Sequence, residues 1–232
     1  MYTYRQIIDS TKPSDSWIGT FLINPLSYPL VYFLANKTGF RPEIVNITSL
    51  IVGLSAAFFF LKGDPNSLFF AAGLIILSYT LDGTDGKLAR LKNQVTRFGT
   101  ALEAVRDKIV HLSCFFALTL GQFIQNPDIR IYYLSILYLL FLATNSLVSF
   151  IILRKRHYNF FGALASIRAL EIMPKINFAG KKLYPSPSIT EALFILFIGT
   201  PFLGLLPSII LAISIQIYMI FFLLNSLRKG LY

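Results

Sequence analysis

Long apolar runs alternate with short polar breaks along most of the chain, and the runs have the length of membrane-crossing helices. The first, Val45 to Leu61, opens at Arg41-Pro42-Glu43 and ends at the turn Lys62-Gly63-Asp64-Pro65-Asn66. Proline suits a helix's first turn, and Gly-Asp-Pro ends one. The second run, Ser67 to Leu81, stops at acidic residues. The third, Phe98 to Phe123, is charged over its first three turns and apolar from Ile109. Ile131 to Leu153 is the fourth, Ile189 to Leu206 the fifth with a kink expected at Pro201, and Ser208 to Leu227 the sixth. At about 20 residues per crossing, the pattern predicts an all-α membrane protein of six transmembrane helices. Trp17 to Leu34 mixes apolar and aromatic residues but carries Pro25 and Pro29. We expect it to lie along the membrane surface as an interfacial amphipathic helix, not to form a seventh span.

Composition sharpens this picture. Of 232 residues, 55% are apolar and only 14% charged, well below the charge of a soluble domain, and mean hydropathy is +0.63. A soluble globule and a disordered chain are excluded as first readings. The single cysteine, Cys114, lies in an apolar run and excludes an internal disulfide framework. No repeat or low-complexity tract divides the chain, and the first 16 residues lack the apolar core of a signal peptide. One domain, 1–232, is expected, with 1–41 as a cytoplasmic or interfacial segment and 42–227 as the six-helix bundle.

The net charge of +10 suggests nucleic acid until the cations are placed. Six spans put both ends on one side, and all 21 Lys and Arg residues except Lys62 and Arg130 fall there. By the positive-inside rule both termini are cytoplasmic, and nucleic acid is dropped as a partner.

The acids stand out more. Only 11 Asp and Glu occur, yet Asp82, Asp85, Glu103 and Asp107 fall in one 26-residue window. Asp82 and Asp85 are spaced i, i+3 and Glu103 and Asp107 i, i+4, so each pair shares a helix face. Gly83, Gly86 and Gly99 leave room for close approach. Asp107 lies about 13 Å inside its helix at ~1.5 Å per residue, at a depth where an ionisable group needs a partner or a cavity. Four converging carboxylates repel unless neutralised, and an all-oxygen set suits Mg²⁺, Mn²⁺ or Ca²⁺. Two such ions form a common clamp for displacement at phosphorus. The plainer alternative pairs the acids with Arg90, Arg106 and Lys108 at a wet helix end. His111 continues the stripe as a packed or supporting residue, and Cys114 is packing.

The run Asp82-Gly-Thr-Asp85-Gly86-Lys-Leu-Ala89-Arg90, then Gly99, Glu103 and Asp107, resembles the signature of the CDP-alcohol phosphotransferase family, D-x2-D-G-x2-A-R-x8-G-x3-D-x3-D. Seven of the eight fixed positions match, and Glu103 stands where the family has Asp. The resemblance implies a six-helix membrane enzyme, commonly a homodimer, with its site open to the cytoplasm. There a hydroxyl attacks the β-phosphorus of a CDP-linked donor and CMP leaves, in phospholipid biosynthesis. It further implies that Asp82, Asp85, Glu103 and Asp107 hold two Mg²⁺ or Mn²⁺ ions, with Asp107 also the general base. Gly86 and Ala89 would make room for cytidine, and Arg90 would contact the diphosphate.

The basic stretch Arg154 to Pro187, with Arg168, Lys175 and Lys182, either grips a phosphorylated acceptor or faces anionic headgroups. A non-catalytic cation-binding or scaffold protein is the alternative to the enzyme. Against a channel, spans four and six carry few polar residues beyond Asn145 and Gln216. The topology is tested by single cysteines placed at Asn66 and Asn126. Both should react with impermeant thiol reagents from the non-cytoplasmic side, and labelling from the cytoplasm would refute six spans with internal ends.

Overall fold

The computed structural model describes residues 1–155, 175–178, 180–184 and 187–229. A short helix, α1 (Tyr4–Asp9), is followed by a single π-helical turn (Gly19–Ile23) that runs into α2 (Asn24–Lys37). Then come α3 (Pro42–Lys62), α4 (Pro65–Leu91), α5 (Arg97–Gln125) and α6 (Ile129–Lys155). A small antiparallel hairpin, β1 (Ile176–Phe178) and β2 (Lys181–Leu183), precedes α7 (Ile189–Leu203) and α8 (Leu205–Lys229).

The helix ends follow local chemistry. Pro42 and Pro65 occupy first-turn positions of α3 and α4, where a missing N–H costs nothing. The Asp64 carboxylate caps α4 by accepting from Ser67 N at 3.0 Å, and its hydrogen bonds with Ser67 hold its pKa below the ordinary carboxylate value. Thr96 caps α5 through Gly99 N, and Ser188 with Glu191 forms a capping box on α7. Gly63 ends α3 in the left-handed region, φ 73°.

Two differences from the sequence reading have plain causes. α4 does not stop at the acids but continues through Asp82 to Leu91, because its polar end packs on α2 and α3 instead of meeting water. The hairpin adds strand structure to an otherwise helical chain, with Gly180 supplying the positive φ of its turn. Pro201 falls in the last turn of α7, which ends at Gly204.

α3 packs along both α4 and α5, α8 along α6 and α7, and α4 against α7 joins the two groups. Phe60, Ile75, Phe115, Leu118, Tyr138 and Phe197 lie in the shared core, with the Phe115 and Tyr138 rings stacked at 4.8 Å. α3 and α5 meet almost backbone to backbone. A Cβ on Gly121 would stand 2.3 Å from the Phe60 carbonyl oxygen, and one on Gly53 2.7 Å from Val110. Small residues at such crossings let apolar helices gain contact that lipid cannot supply. Between α3 and α4, each of Ser49 and Ser78 donates its hydroxyl to the other's carbonyl at 2.9 Å.

α3, α4, α6 and α8 are long and apolar enough to cross a membrane. α5 carries Glu103, Arg106, Asp107 and Lys108 in its first half, and α7 has 15 residues. The α3–α4 and α5–α6 turns share one end of the bundle, where Gln122 and Gln125 donate to the carbonyls of Gly63 and Lys62 at 2.7 and 2.8 Å.

Because the Gly121 contact is with backbone, even one methyl group must force the helices apart, at a cost of about 1–3 kcal/mol. Gly121→Ala should lower the thermal unfolding midpoint in detergent, whereas Gly73→Ala, with nothing within 4 Å of the added carbon, should not. Equal midpoints would refute the close crossing.

Candidate active site

A cavity of about 400 Å³ opens at the end of the bundle opposite those turns. Asp85, Gly86, Ala89 and Arg90 reach it from α4, Glu103, Asp107, Lys108 and His111 from α5, and Asn46 from α3. Its far wall includes Ile189, Thr190 and Leu193 of α7, and Lys12 of the N-terminal segment contributes to its lining. α3 sets this convergence, since it packs along both acid-bearing helices and fixes their register.

Each carboxylate is held differently. Asp85 is buried, and Asn46 Nδ2 donates to its Oδ2 at 2.7 Å. Asp107 is partly exposed and its Oδ1 lies 3.1 Å from Arg106 Nη1. Arg106 also forms an ion pair with Asp82, so one guanidinium, itself only 2% exposed, joins α4 to α5. Glu103 is half-buried and lines the cavity. Asp82 is turned to Arg106 and is not part of the cavity wall.

The structure thus brings together Asp85, Glu103, Asp107, Gly86, Ala89 and Arg90. It pairs Asp82 with Arg106, one of the cations that the plainer alternative names. His111 Nε2 lies 3.1 Å from the Tyr79 hydroxyl, a supporting place beside the cavity, and Cys114 is buried against Gly53 O. Lys175 lies 5.4 Å from the centre of the Tyr184 ring and Lys182 is exposed on β2, both outside the cavity wall. Arg168 lies outside the described residues.

Two features escaped sequence reasoning. Asn46 stands 39 residues from its partner Asp85, and only the i, i+3/i+4 polar positions Asn46 and Ser49 on an apolar helix hinted at it. The second is the attachment of the N-terminal segment, where Arg90 Nε donates to the Ser10 carbonyl at 2.6 Å. Buried Lys87 Nζ donates to Asn24 Oδ1 at 2.6 Å and to the Gly83 carbonyl at 3.0 Å. A lysine inside a motif's variable positions was the available signal.

The donor set fits a hard divalent cation. Four carboxylates line the cavity, Glu43 of α3 beside Asp85, Glu103 and Asp107, and no thiolate competes among the lining residues. Among the described residues no three acidic, His or Cys side chains are drawn together tightly enough to make a finished coordination site, and Arg106 supplies the positive charge beside Asp82 and Asp107.

Comparison with known proteins bears on the fold and the family. The profile of the CDP-alcohol phosphatidyltransferase family matches residues 40–221. No curated protein sequence matches the chain. Among solved structures, the apo form of Mycobacterium tuberculosis phosphatidylinositol phosphate synthase (PgsA1) is similar at 19% identity and a TM-score of 0.60, over 85% of this chain and 94% of that one. The same synthase with CDP-DAG bound is 22% identical, TM-score 0.56, over 85% and 91%. Its complex with manganese and citrate is also 22% identical, TM-score 0.57, over 87% and 88%. These likenesses establish a shared fold. With the family profile spanning both acid-bearing helices and the rest of the bundle, the chain belongs to the CDP-alcohol phosphatidyltransferase family, membrane transferases of phospholipid synthesis that move a phosphatidyl-type group from a CDP-linked donor to an alcohol, with CMP leaving.

Proposed function

We propose that the cavity between α3, α4 and α5 is the place of this transfer, with the donor's CDP against Gly86, Ala89 and Arg90 and the acceptor hydroxyl at Asp107. The observation that carries the reading is the convergence of Asp85, Glu103 and Asp107 with those three residues in one cavity. The CDP-DAG-bound mycobacterial neighbour supports a CDP-linked donor, and the manganese complex supports a divalent cation. Asp85, Glu103 and Asp107, joined by Asp82 where a cation takes the place of its Arg106 contact, would hold two Mg²⁺ or Mn²⁺ ions, whose chemistry is to neutralise the diphosphate and polarise the phosphorus under attack.

The chain's own residues do the rest. Gly86 and Ala89 leave space for a planar base close to the α4 backbone. Arg90 offers a fork of N–H donors matched to phosphate oxygens. Asn46 fixes the Asp85 carboxylate, and Arg106 fixes Asp107 by one oxygen. Asp107 takes the proton of the acceptor hydroxyl as that oxygen bonds to the β-phosphorus, and the bond from phosphorus to the CMP oxygen breaks. Arg168, Lys175 and Lys182 are the proposed contacts for an acidic acceptor, supported by the basic character of 154–187 and by the hairpin's attachment to the N-terminal segment through Tyr184 N and Asp15 O at 3.2 Å. Six spans, a site facing the cytoplasm, one domain over 1–232 and a homodimer complete the proposed arrangement. It is supported by the charge asymmetry and by the six helices after residue 41, four of them long and apolar enough to cross a membrane.

The direct experiment is CMP release from CDP-linked donors by the purified protein with and without Mg²⁺ or Mn²⁺. Turnover should need the cation, and Asp85→Asn should abolish it while the unfolding midpoint is kept. Full chelator-resistant activity in that variant would refute the metal site.

Asp107→Asn separates chemistry from binding. Losing a positioned base costs about 10²–10⁴-fold in kcat, while CDP affinity should largely survive. Glu103→Asp restores the family pattern and should be tolerated. Near-normal kcat in Asp107→Asn would remove the general-base role, and an inactive Glu103→Asp would show that the longer side chain is required.

A further inference from the structure

The segment before the bundle is fastened across the cavity end of the molecule. Arg90 Nε donates to the Ser10 carbonyl at 2.6 Å, a contact spanning 80 residues. Asn24 Nδ2 donates to Asp15 Oδ2 at 3.3 Å, and the same Asn24 receives the buried Lys87 ammonium at 2.6 Å. Tyr184 N donates to the Asp15 carbonyl at 3.2 Å. Residues 10–16 therefore form a strap held by α4 at one end and by α2 and the hairpin at the other. Lys12 lies between these fastenings, exposed to solvent, and lines the cavity with Gly86, Ala89 and Arg90.

Charge gives this position a meaning. A CDP-linked diphosphate brings negative charge into a cavity already lined by Glu43, Asp85, Glu103 and Asp107, beyond what cations on the signature acids would match. With Nε engaged by Ser10, the Nη1 and Nη2 atoms of Arg90 lie 3.4 and 3.7 Å from where a Gly86 Cβ would stand. One guanidinium holding one edge of the ligand leaves negative charge on the other phosphate. An ammonium on a flexible stem is a point charge suited to a phosphate at a cavity rim.

We propose that the strap is part of the donor site and that Lys12 is a second cationic contact for the donor's diphosphate. This rests on the reading that the cavity holds a CDP-linked donor. The strap lies outside the signature window and before the residues matched by the family profile, 40–221. Because Lys12 is exposed, its replacement leaves the core intact.

The test uses the full chain in detergent with Mg²⁺, and titrates CDP and cytidine as probes beside steady-state kinetics. Solvent screening at the rim limits a single charge-assisted contact to a modest effect. Lys12→Ala should weaken CDP about tenfold and raise the donor KM by a similar factor, leaving cytidine affinity and the acceptor KM as they were. Lys12→Arg should recover most of the loss, and the difference from wild type should shrink as salt rises. CDP affinity unchanged in Lys12→Ala, or equal losses for CDP and cytidine, would overturn the diphosphate contact. A wild-type protein that binds neither probe would overturn the donor-site reading itself, and the strap with it.

Discussion

Carboxylates set among apolar helices must be matched by positive charge, and the cavity end of this protein is arranged around that requirement. Arg106 is the clearest expression of it. It is almost fully buried, carries charge between Asp82 on α4 and Asp107 on α5, and so ties the two acid-bearing helices together. A buried pair of this kind adds little net stability over apolar packing. Removing one partner, however, leaves a desolvated charge at a cost of about 3–5 kcal/mol. The acids and Arg106 therefore depend on each other.

Lys87 meets the same constraint by a different route. Its ammonium is buried on α4 and is satisfied by the Asn24 side chain and the Gly83 carbonyl, with the Tyr28 ring 5.8 Å away. The solvation that this lysine requires is what draws α2 onto α4. The bundle supplies the rigid part of the arrangement from the opposite end, where Gly121 lets α3 and α5 touch and two glutamines tie α5 to the end of α3. Helices held in register there deliver Asp85 and Asp107 to one cavity more than a dozen residues away along each chain segment.

The helices were legible in the sequence because their boundaries are local. Proline starts, Gly63 and the Asp64 cap act within one turn, so the apolar runs and the observed helices agree to a few residues except where α4 continues past Leu81. That extension depends on α2 and α3 covering its polar end, which no local pattern records. The site was legible for a related reason. Asp82 to Asp107 lie within one helix–turn–helix, so fixed spacing translates into shared faces. What could not be read was long-range: Asn46 with Asp85, Asn24 with Lys87 and Ser10 with Arg90 are separated by 39, 63 and 80 residues. The spacing also grouped Asp82 with the other three acids, whereas the ion pair with Arg106 holds it away from the cavity wall.

The position of Asp107 connects these arrangements to the reaction. α5 is charged up to Lys108 and apolar from Ile109, apart from His111, so Asp107 stands where water gives way to the bundle interior. Deeper along the helix an unpartnered carboxylate would be too costly to keep ionised. Farther out, water would compete for its hydrogen bonds and weaken its hold on a hydroxyl. Arg106 holds the carboxylate in place at this border by engaging one oxygen. His111, one turn further in, is directed to Tyr79 and not to the acid. In the proposed reaction this border is where the acceptor hydroxyl would meet the cation-bound donor phosphate. Arg90, Gly86 and the N-terminal strap form the outer side of the cavity.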